Sequence, residues 1–134
     1  MMQEKKQIQQ MSEEEILGKL MGEYTAPRKT YFIDRLQIPI EMKGLTEKEI
    51  SKLRVQCTYD NKLDSNEFDA ALIYASTVNF NWNNEKLLNA HQASSGKELI
   101  RKILLAGEIT SLTRIVLELS GFTSSINEVE IIKN

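Results

Sequence analysis

The sequence predicts an α+β protein, a mainly helical single domain with a small β-hairpin near the N-terminal third. Two patterns support this prediction. Apolar and polar residues alternate over residues 38–43, which indicates a strand with one buried face. From Thr46 onward, apolar residues recur at intervals of three and four, which is typical of amphipathic helices. The length of 134 residues is sufficient for one domain with its own core.

The N-terminal region is predicted to be separate from the main body. Residues 1–11 are rich in Gln, Lys and Glu, so we expect disorder or fraying there. Ser12 and Glu15 have the spacing of a capping box and open a short helix. Four apolar residues fall on one side of this helix: Ile16, Leu17, Leu20 and Met21. The helix either docks on its own domain or, beyond the break at Pro27, forms a mobile segment that meets a partner.

The predicted hairpin joins two short strands, residues 31–33 and 38–42, through residues 34–37. Proline has no N–H to donate, so Pro39 indicates an edge strand or a position outside the ladder. Two strands alone are only marginally stable. We therefore expect the hairpin to lie against helices or to gain strands from a neighbouring subunit.

Beyond the hairpin the chain is predicted to be mostly helical. Gly44 marks a turn, and Thr46 with Glu49 forms a capping box before the next helix. The apolar residues of the successive helices have the spacing of a core-facing side. They are Ile50, Leu53 and Cys57; Phe68, Ala71, Leu72 and Ala75; Leu87 and Leu88; Leu99, Ile103 and Leu104; and Ile109, Leu112, Val116 and Leu119.

Polar and glycine-containing segments separate these helices. Residues 59–66 are predicted to form a polar loop. Ser95 with Glu98 predicts a further capping box, and Gly107 predicts a helix end. Gly121 followed by Phe122 predicts a Schellman stop. The predicted organisation is a mobile N-terminal segment with the short helix (1–27), a globular α+β domain (28–122) and a C-terminal tail (123–134) whose last residues form a tail or a late strand.

The composition argues against catalysis, metal binding and nucleic-acid binding. A net charge of −2 provides no strongly basic surface for nucleic acid. One His and one Cys are too few for a zinc site of nitrogen and sulfur ligands within one chain. We expect His91 to be a surface histidine and Cys57 to be a packed thiol. Without basic neighbours, Trp82 and Phe80 favour packing over stacking on a ligand. We predict no enzyme activity, no cofactor and no metal.

Three blocks of sequence resemble the XkdN-like phage (prophage) tail assembly chaperones, a family that includes YqbN-like proteins. The first is RLQIPIEMKGLTEKE at 35–49, and the second is LIYASTVNFNWNNEKLL at 72–88. The third runs from Leu104 to Phe122. These blocks are structural rather than catalytic, and their order and spacing carry the resemblance, which extends from about Tyr31 to Phe122.

The resemblance implies a non-enzymatic chaperone that binds and solubilises the tape measure protein and helps to recruit tail tube subunits. It also implies absence from the mature tail. A single cysteine, no apolar stretch of membrane length and no signal peptide fit the cytoplasm of the bacterial host. Self-association is a further candidate interaction. Two other functions stay open: a structural tail component retained in the virion, and a small helical nucleic-acid-binding regulator.

We place the candidate partner contacts on the two terminal segments. A protein that holds aggregation-prone chains needs apolar contact area that adapts, and methionine-bearing flexible surfaces supply it. The candidate residues are Ile16, Leu17, Leu20, Met21, Ile131 and Ile132. The competing contact face is the stripe that begins at Ile109, but its spacing suits a core.

Overall fold

The computed structural model describes residues 5–122 and 126–132, and its contacts divide the chain into two compact units. The described part of the smaller unit comprises residues 5–25 and 126–132, and that of the larger unit comprises residues 26–122. The larger unit is mainly helical and contains the predicted small β-hairpin. The predicted α+β fold class is therefore confirmed. The mobility assigned to residues 1–27 and the predicted division of the chain at residues 27 and 122 stay predictions.

The smaller unit consists of strand β1 (Lys6–Gln9), helix α1 (Glu13–Leu20) and strand β6 (Val129–Ile132). We expected disorder or fraying over residues 1–11, of which 1–4 lie outside the described residues. Over Lys6–Gln9 the expectation is wrong, because β1 pairs in parallel with β6, which satisfies backbone groups of both strands. The two open readings of the C-terminal residues, a tail or a late strand, resolve to a strand over Val129–Ile132.

The larger unit follows the predicted order of a hairpin and then helices. Its elements are β2 (Arg28–Ile33), β3 (Ile38–Lys43), α2 (Glu47–Gln56), β4 (Thr58–Tyr59), β5 (Lys62–Leu63), α3 (Ser65–Ser76), α4 (Glu85–Ala90), α5 (Gly96–Ile103) and α6 (Ala106–Leu119).

The predicted hairpin is confirmed and is slightly longer than the sequence indicated. Strand β2 pairs antiparallel with β3, and Tyr31 lies opposite Ile40. The turn closes with the Gln37 N–H donating to the Ile33 carbonyl at 2.8 Å. Ile40 and Met42 are fully buried. The alternating pattern therefore faces the core of the larger unit.

The outer edge of β3 is closed by residues that end and follow α3. Ser76 Oγ accepts from the Lys43 N–H at 3.2 Å and donates to the Lys43 carbonyl at 2.5 Å. The Asn79 side chain accepts from the Glu41 N–H at 2.9 Å and donates to the Pro39 carbonyl at 3.1 Å. The missing N–H of Pro39 thus falls on this outer edge and not in the ladder with β2, as the sequence predicted.

Helix α3 is the centre of the core. It packs against α2, α5 and α6, so it buries its predicted residues Phe68, Ala71 and Leu72 and also the flanking Ala70 and Ile73. The predicted stripes of the other helices supply the facing side of this core. Their buried members are Ile50, Cys57, Leu99, Leu104, Leu112, Val116 and Leu119.

The predicted polar loop at residues 59–66 is wrong in part. Strands β4 and β5 form a short hairpin, and its turn residues Asp60 and Asn61 have φ values of 50° and 63°. Asp and Asn tolerate this left-handed conformation, so their adjacency favours a tight turn between two strands. Helix α3 also begins earlier than predicted, because Asp64 Oδ1 accepts from the Glu67 N–H at 3.1 Å and caps it.

The predicted helix end at Gly107 is wrong. Helix α5 ends at Ile103, and Gly107 lies in the first turn of α6. Glu108 fixes this start, because its Oε1 accepts from the Leu105 N–H at 2.7 Å. The sequence alone does not distinguish a glycine that ends one helix from a glycine in the first turn of the next. Here the Glu108 carboxylate, one residue after Gly107, caps the start of α6 and so places Gly107 in its first turn.

The remaining predicted helix ends are confirmed in whole or in part. The Thr46 and Glu49 capping box is complete. Ser95 Oγ caps α5 by accepting from the Glu98 N–H, but the Glu98 carboxylate accepts from the Ser94 N–H and not from that of Ser95. Gly121 has φ 93°, and the two N–H bonds that follow α6 have the Schellman pattern.

Candidate partner-binding surface

Helix α1 presents an apolar side that lies outside any core. Ser12 Oγ accepts from the Glu15 N–H at 3.2 Å and caps the helix, and three glutamates in the first turn favour its N-terminus. No residue of α1 is buried. Three candidate residues of α1 and Met21 at its C-cap are exposed: Ile16 by 45%, Leu17 by 48%, Leu20 by 67% and Met21 by 83%. They form two adjacent rows at i and i+4, so they share one side of the helix.

The sheet of β1 and β6 carries the other two candidate residues. The strands run parallel, with Ile8 opposite Ile131, and Lys5 Nζ lies 2.9 Å from Glu128 Oε1 at the start of the pairing. Successive residues of a strand point to opposite faces, so Ile131 and Ile132 lie on different faces of the sheet. Both are exposed. Parallel sheets are normally covered on both faces, and this one presents apolar side chains on each.

The pairing of β1 with β6 brings all six candidate residues into one compact unit. The sequence placed them on two separate terminal segments. Their role in binding is not tested by their position, but their exposure is what a contact surface requires.

Two further large apolar residues of the smaller unit are exposed and were not among the candidates. The Tyr24 side chain is exposed, and its hydroxyl donates to the Lys19 carbonyl at the end of α1. Ile126 is 94% exposed just before β6. Each stands alone between polar or glycine residues, so neither belonged to a periodic pattern. For Ile126, its isolation as an apolar residue in the predicted tail was the available sequence signal.

The competing contact face on α6 is buried. Leu112, Val116 and Leu119 lie in the core of the larger unit, and Ile109 packs against them partly buried. This stripe is therefore not a free contact surface, and its spacing correctly indicated a core.

The single cysteine and the single histidine lie in surroundings that favour a structural role. Cys57 is fully buried at the end of α2, and burial raises the pKa of its thiol, which disfavours the reactive thiolate. His91 is exposed at the end of α4, where its carbonyl accepts from Lys102 Nζ. Within residues 5–122 and 126–132, no group of three or more His, Cys, Asp or Glu is placed to hold a metal ion. Over the same residues, no helix has the length and apolar character of a membrane span.

Trp82 packs, as the sequence predicted. Its ring is buried, and Nε1 donates to Thr77 Oγ1 at 2.9 Å. Phe80 meets it edge to face, with ring centroids 4.8 Å apart. The pair lines an apolar depression of about 540 Å³ together with Leu36, Ile38 and Leu87.

The comparisons with known proteins identify a family and a fold. Residues 17–133 match the sequence model of the family described as phage XkdN-like tail assembly chaperone protein. The crystal structure of the protein YqbN is similar, with a TM-score of 0.57 and 22% sequence identity over 74% of this chain and 90% of that chain. At that identity the likeness concerns the fold alone. No curated protein matches the chain.

Proposed function

Because this chain belongs to the XkdN-like phage tail assembly chaperone family, we propose that it binds and solubilises the tape measure protein and helps to recruit tail tube subunits during assembly. In this proposal it acts without catalysis in the cytoplasm of the bacterial host and is absent from the mature tail. The observation that carries the proposal is the apolar side of α1, none of whose residues is buried.

An exposed apolar helix is a suitable surface for a long helical client. A helix of eight residues gains little stability by itself, so it depends on packing of its apolar side. Here that packing is left for a partner. Amphipathic helices commonly bind each other through residues at i, i+3 and i+4, which is the spacing of Leu17, Leu20 and Met21. Met21 adds a flexible side chain that adapts to varied contacts.

The test is co-expression with the tape measure protein of the same phage, scored by how much of that protein stays soluble and co-purifies. In the test variant, Ile16, Leu17, Leu20 and Met21 are each replaced by Gln, which keeps helix propensity and removes the apolar side. We expect the recovered soluble complex to fall at least roughly tenfold, because one buried Leu side chain alone contributes ~1.5–3 kcal/mol.

A matched control separates this surface from exposed apolar residues in general. Val55→Gln replaces a residue of α2 in the larger unit that is 75% exposed. We expect it to leave the yield of complex unchanged. If the α1 variant protects the partner as well as the wild type does, α1 is not the contact surface.

The double variant Ile131→Gln and Ile132→Gln tests the two candidate residues of β6 in the same co-expression assay. A parallel co-expression with tail tube protein in place of the tape measure protein tests the recruitment of tube subunits.

Mass spectrometry of purified particles distinguishes an assembly chaperone from a structural component of the tail. The chain should be missing from finished tails, and its presence at a fixed copy number would contradict the proposal.

A further inference from the structure

The two edges of the β2–β3 hairpin differ. Backbone groups of Pro39, Glu41 and Lys43 bond outward to the residues that close the edge of β3. In an antiparallel ladder, residues that bond outward alternate with residues that bond to the neighbouring strand. Their opposite residues on β2 therefore also direct their N–H and carbonyl groups away from the hairpin. These residues are Arg28, Thr30 and Phe32.

The outer edge of β2 is open. Within the described residues, the outward backbone groups of Arg28, Thr30 and Phe32 have no hydrogen-bond partner. The side chain of Phe32 is 54% exposed. A row of unpaired N–H and carbonyl groups is a template for a further strand.

An apolar groove runs beside this edge. It has a volume of about 600 Å³, with Tyr31 and Ile33 on the strand side and Leu105 and Ile115 on the helix side. A strand added to β2 would place side chains over this groove. The edge thus offers backbone bonds and apolar contact at the same place, which is the usual basis of strand addition.

We propose that the strand added here is β2 of a second copy of this chain, antiparallel to the first. The resulting sheet has four strands in the order β3-β2-β2-β3. This inference concerns self-association and is independent of the proposed binding of tape measure protein.

The direction of the backbone groups limits the register of this pairing, because only residues with outward groups can exchange hydrogen bonds. Thr30 can therefore lie opposite Thr30 or opposite Phe32 of the second copy. The proposal takes the second register, because it alone pairs Arg28 with an acidic residue. Tyr31 then lies on the two-fold axis opposite Tyr31 of the second copy. Arg28 lies opposite Asp34 of the second copy, and the symmetry repeats this pair. In each copy, Arg28 provides a basic residue at one end of the paired segment and Asp34 an acidic residue at the other. This arrangement is self-complementary, as an isologous interface requires.

The alternative occupants fit less well. The edge of β3 is closed by Ser76 and Asn79, so a second pairing of this sheet is excluded and assembly stops at a dimer. A strand from a different protein would need its own match to the Arg28 and Asp34 ends, whereas a second copy provides that match by symmetry.

Disulfide cross-linking tests the register. Tyr31→Cys places two thiols opposite each other at a non-hydrogen-bonded pair, where Cα atoms are ~4.5 Å apart, within disulfide range. We expect mild oxidation to give a covalent dimer. Lys29→Cys is the matched control, because its two copies would be ~13 Å apart. The buried Cys57 should leave the wild type uncrosslinked. No cross-link at position 31, or equal cross-linking at both positions, overturns the register.

Sedimentation equilibrium of the full chain tests the dimer itself. Thr30→Pro removes one outward N–H, whereas Thr30→Val keeps it and keeps the β-branched shape. We expect Thr30→Pro to weaken dimerisation at least roughly tenfold and Thr30→Val to leave it unchanged. Circular dichroism is the control that checks whether both variants are folded.

Charge exchange separates pairing from folding defects. Arg28→Asp and Asp34→Arg each create two like-charged pairs across the axis, so each should weaken the dimer at least roughly tenfold. The double variant restores opposite charges and should recover dimerisation, which a folding defect would not do. A wild type that is monomeric at every concentration, or a double variant no better than the singles, overturns the proposal.

Discussion

Ser76 satisfies two backbone groups of β3 with one hydroxyl. It is fully buried, and its Oγ bonds both the N–H and the carbonyl of Lys43. We expect Ser76→Ala to lower the free energy of unfolding by about 1–3 kcal/mol, because both groups lose their partner at a buried edge. Urea denaturation measures this. Ser111→Ala, an exposed helical serine on α6, is the control and should change stability little. Equal effects of the two changes would contradict the role of Ser76.

Glu98 is the residue whose ionisation depends most clearly on the fold. Hydrogen bonds from the Ser94 hydroxyl, the Ser94 N–H and Lys102 lower the pKa of its carboxyl from 4.5 to about 2. A pKa lower in the folded than in the unfolded state means that folding favours the charged form. The resulting stabilisation is fully present above pH 4.5 and is lost as the pH falls to about 2.

Glu98→Gln tests this pH dependence. Its amide cannot ionise, so the Tm difference from the wild type should be largest at neutral pH and should shrink between pH 4.5 and about 2. Thermal melts at a series of pH values measure it. Ser94→Ala removes one of the two Ser94 donors and should produce a smaller change of the same form. A Tm difference that is constant with pH would contradict the assignment.

At the scale of elements, two glycines with opposite surroundings test how β3 meets α6. A Cβ on Gly44 would lie 2.7 Å from the carbonyl carbon of Leu119, and backbone there cannot yield. We expect Gly44→Ala to destabilise by at least ~1–3 kcal/mol through overpacking. Gly107, in the first turn of α6, has no atom within 4 Å of such a Cβ. Gly107→Ala should stabilise by up to ~0.5–1 kcal/mol. Urea denaturation of both variants measures the direction of each change in the free energy of unfolding. A Gly44→Ala variant as stable as the wild type would contradict the close packing of Gly44 against the Leu119 backbone.

Elements with local signals were predictable from the sequence. The hairpin strands alternate in polarity, and the capping box at Thr46 marks α2, so neither needed knowledge of a distant partner. Strand β1 has one apolar residue, Ile8, and forms only because β6 pairs with it. No local pattern encodes such a pairing, because the hydrogen bonds come from the far end of the chain.

The sequence indicated the apolar side of α1 but not how the six candidate residues are arranged. The spacing of Ile16, Leu17 and Leu20 indicated one apolar side, and the structure leaves that side exposed. The sequence could not place Ile131 in the same unit, because that placement depends on the β1–β6 register. The open edge of β2 was equally hidden, since it depends on Ser76 and Asn79 closing the other edge.

At the scale of the whole molecule, the described core belongs to the larger unit. All of its buried apolar residues lie between Ile33 and Leu119. We therefore expect the fragment of residues 26–123 to fold alone and to unfold cooperatively, with near-ultraviolet circular dichroism like that of the full chain. It should also lose the protection of tape measure protein, because it lacks α1 and β6. A fragment without a cooperative transition would contradict the first expectation, and one that still protects would contradict the second.

The pairing of β1 with β6 also has a consequence for synthesis on the ribosome. Lys5 and Glu128, which form an ion pair in this sheet, are 123 positions apart. Translation needs on the order of ten seconds to cover that distance. Throughout that interval β1 has been synthesised and its strand partner β6 does not yet exist, while the larger unit between them is being made. The smaller unit can therefore be completed only after the larger unit has been translated, and the six candidate residues can come together only once β6 has been made.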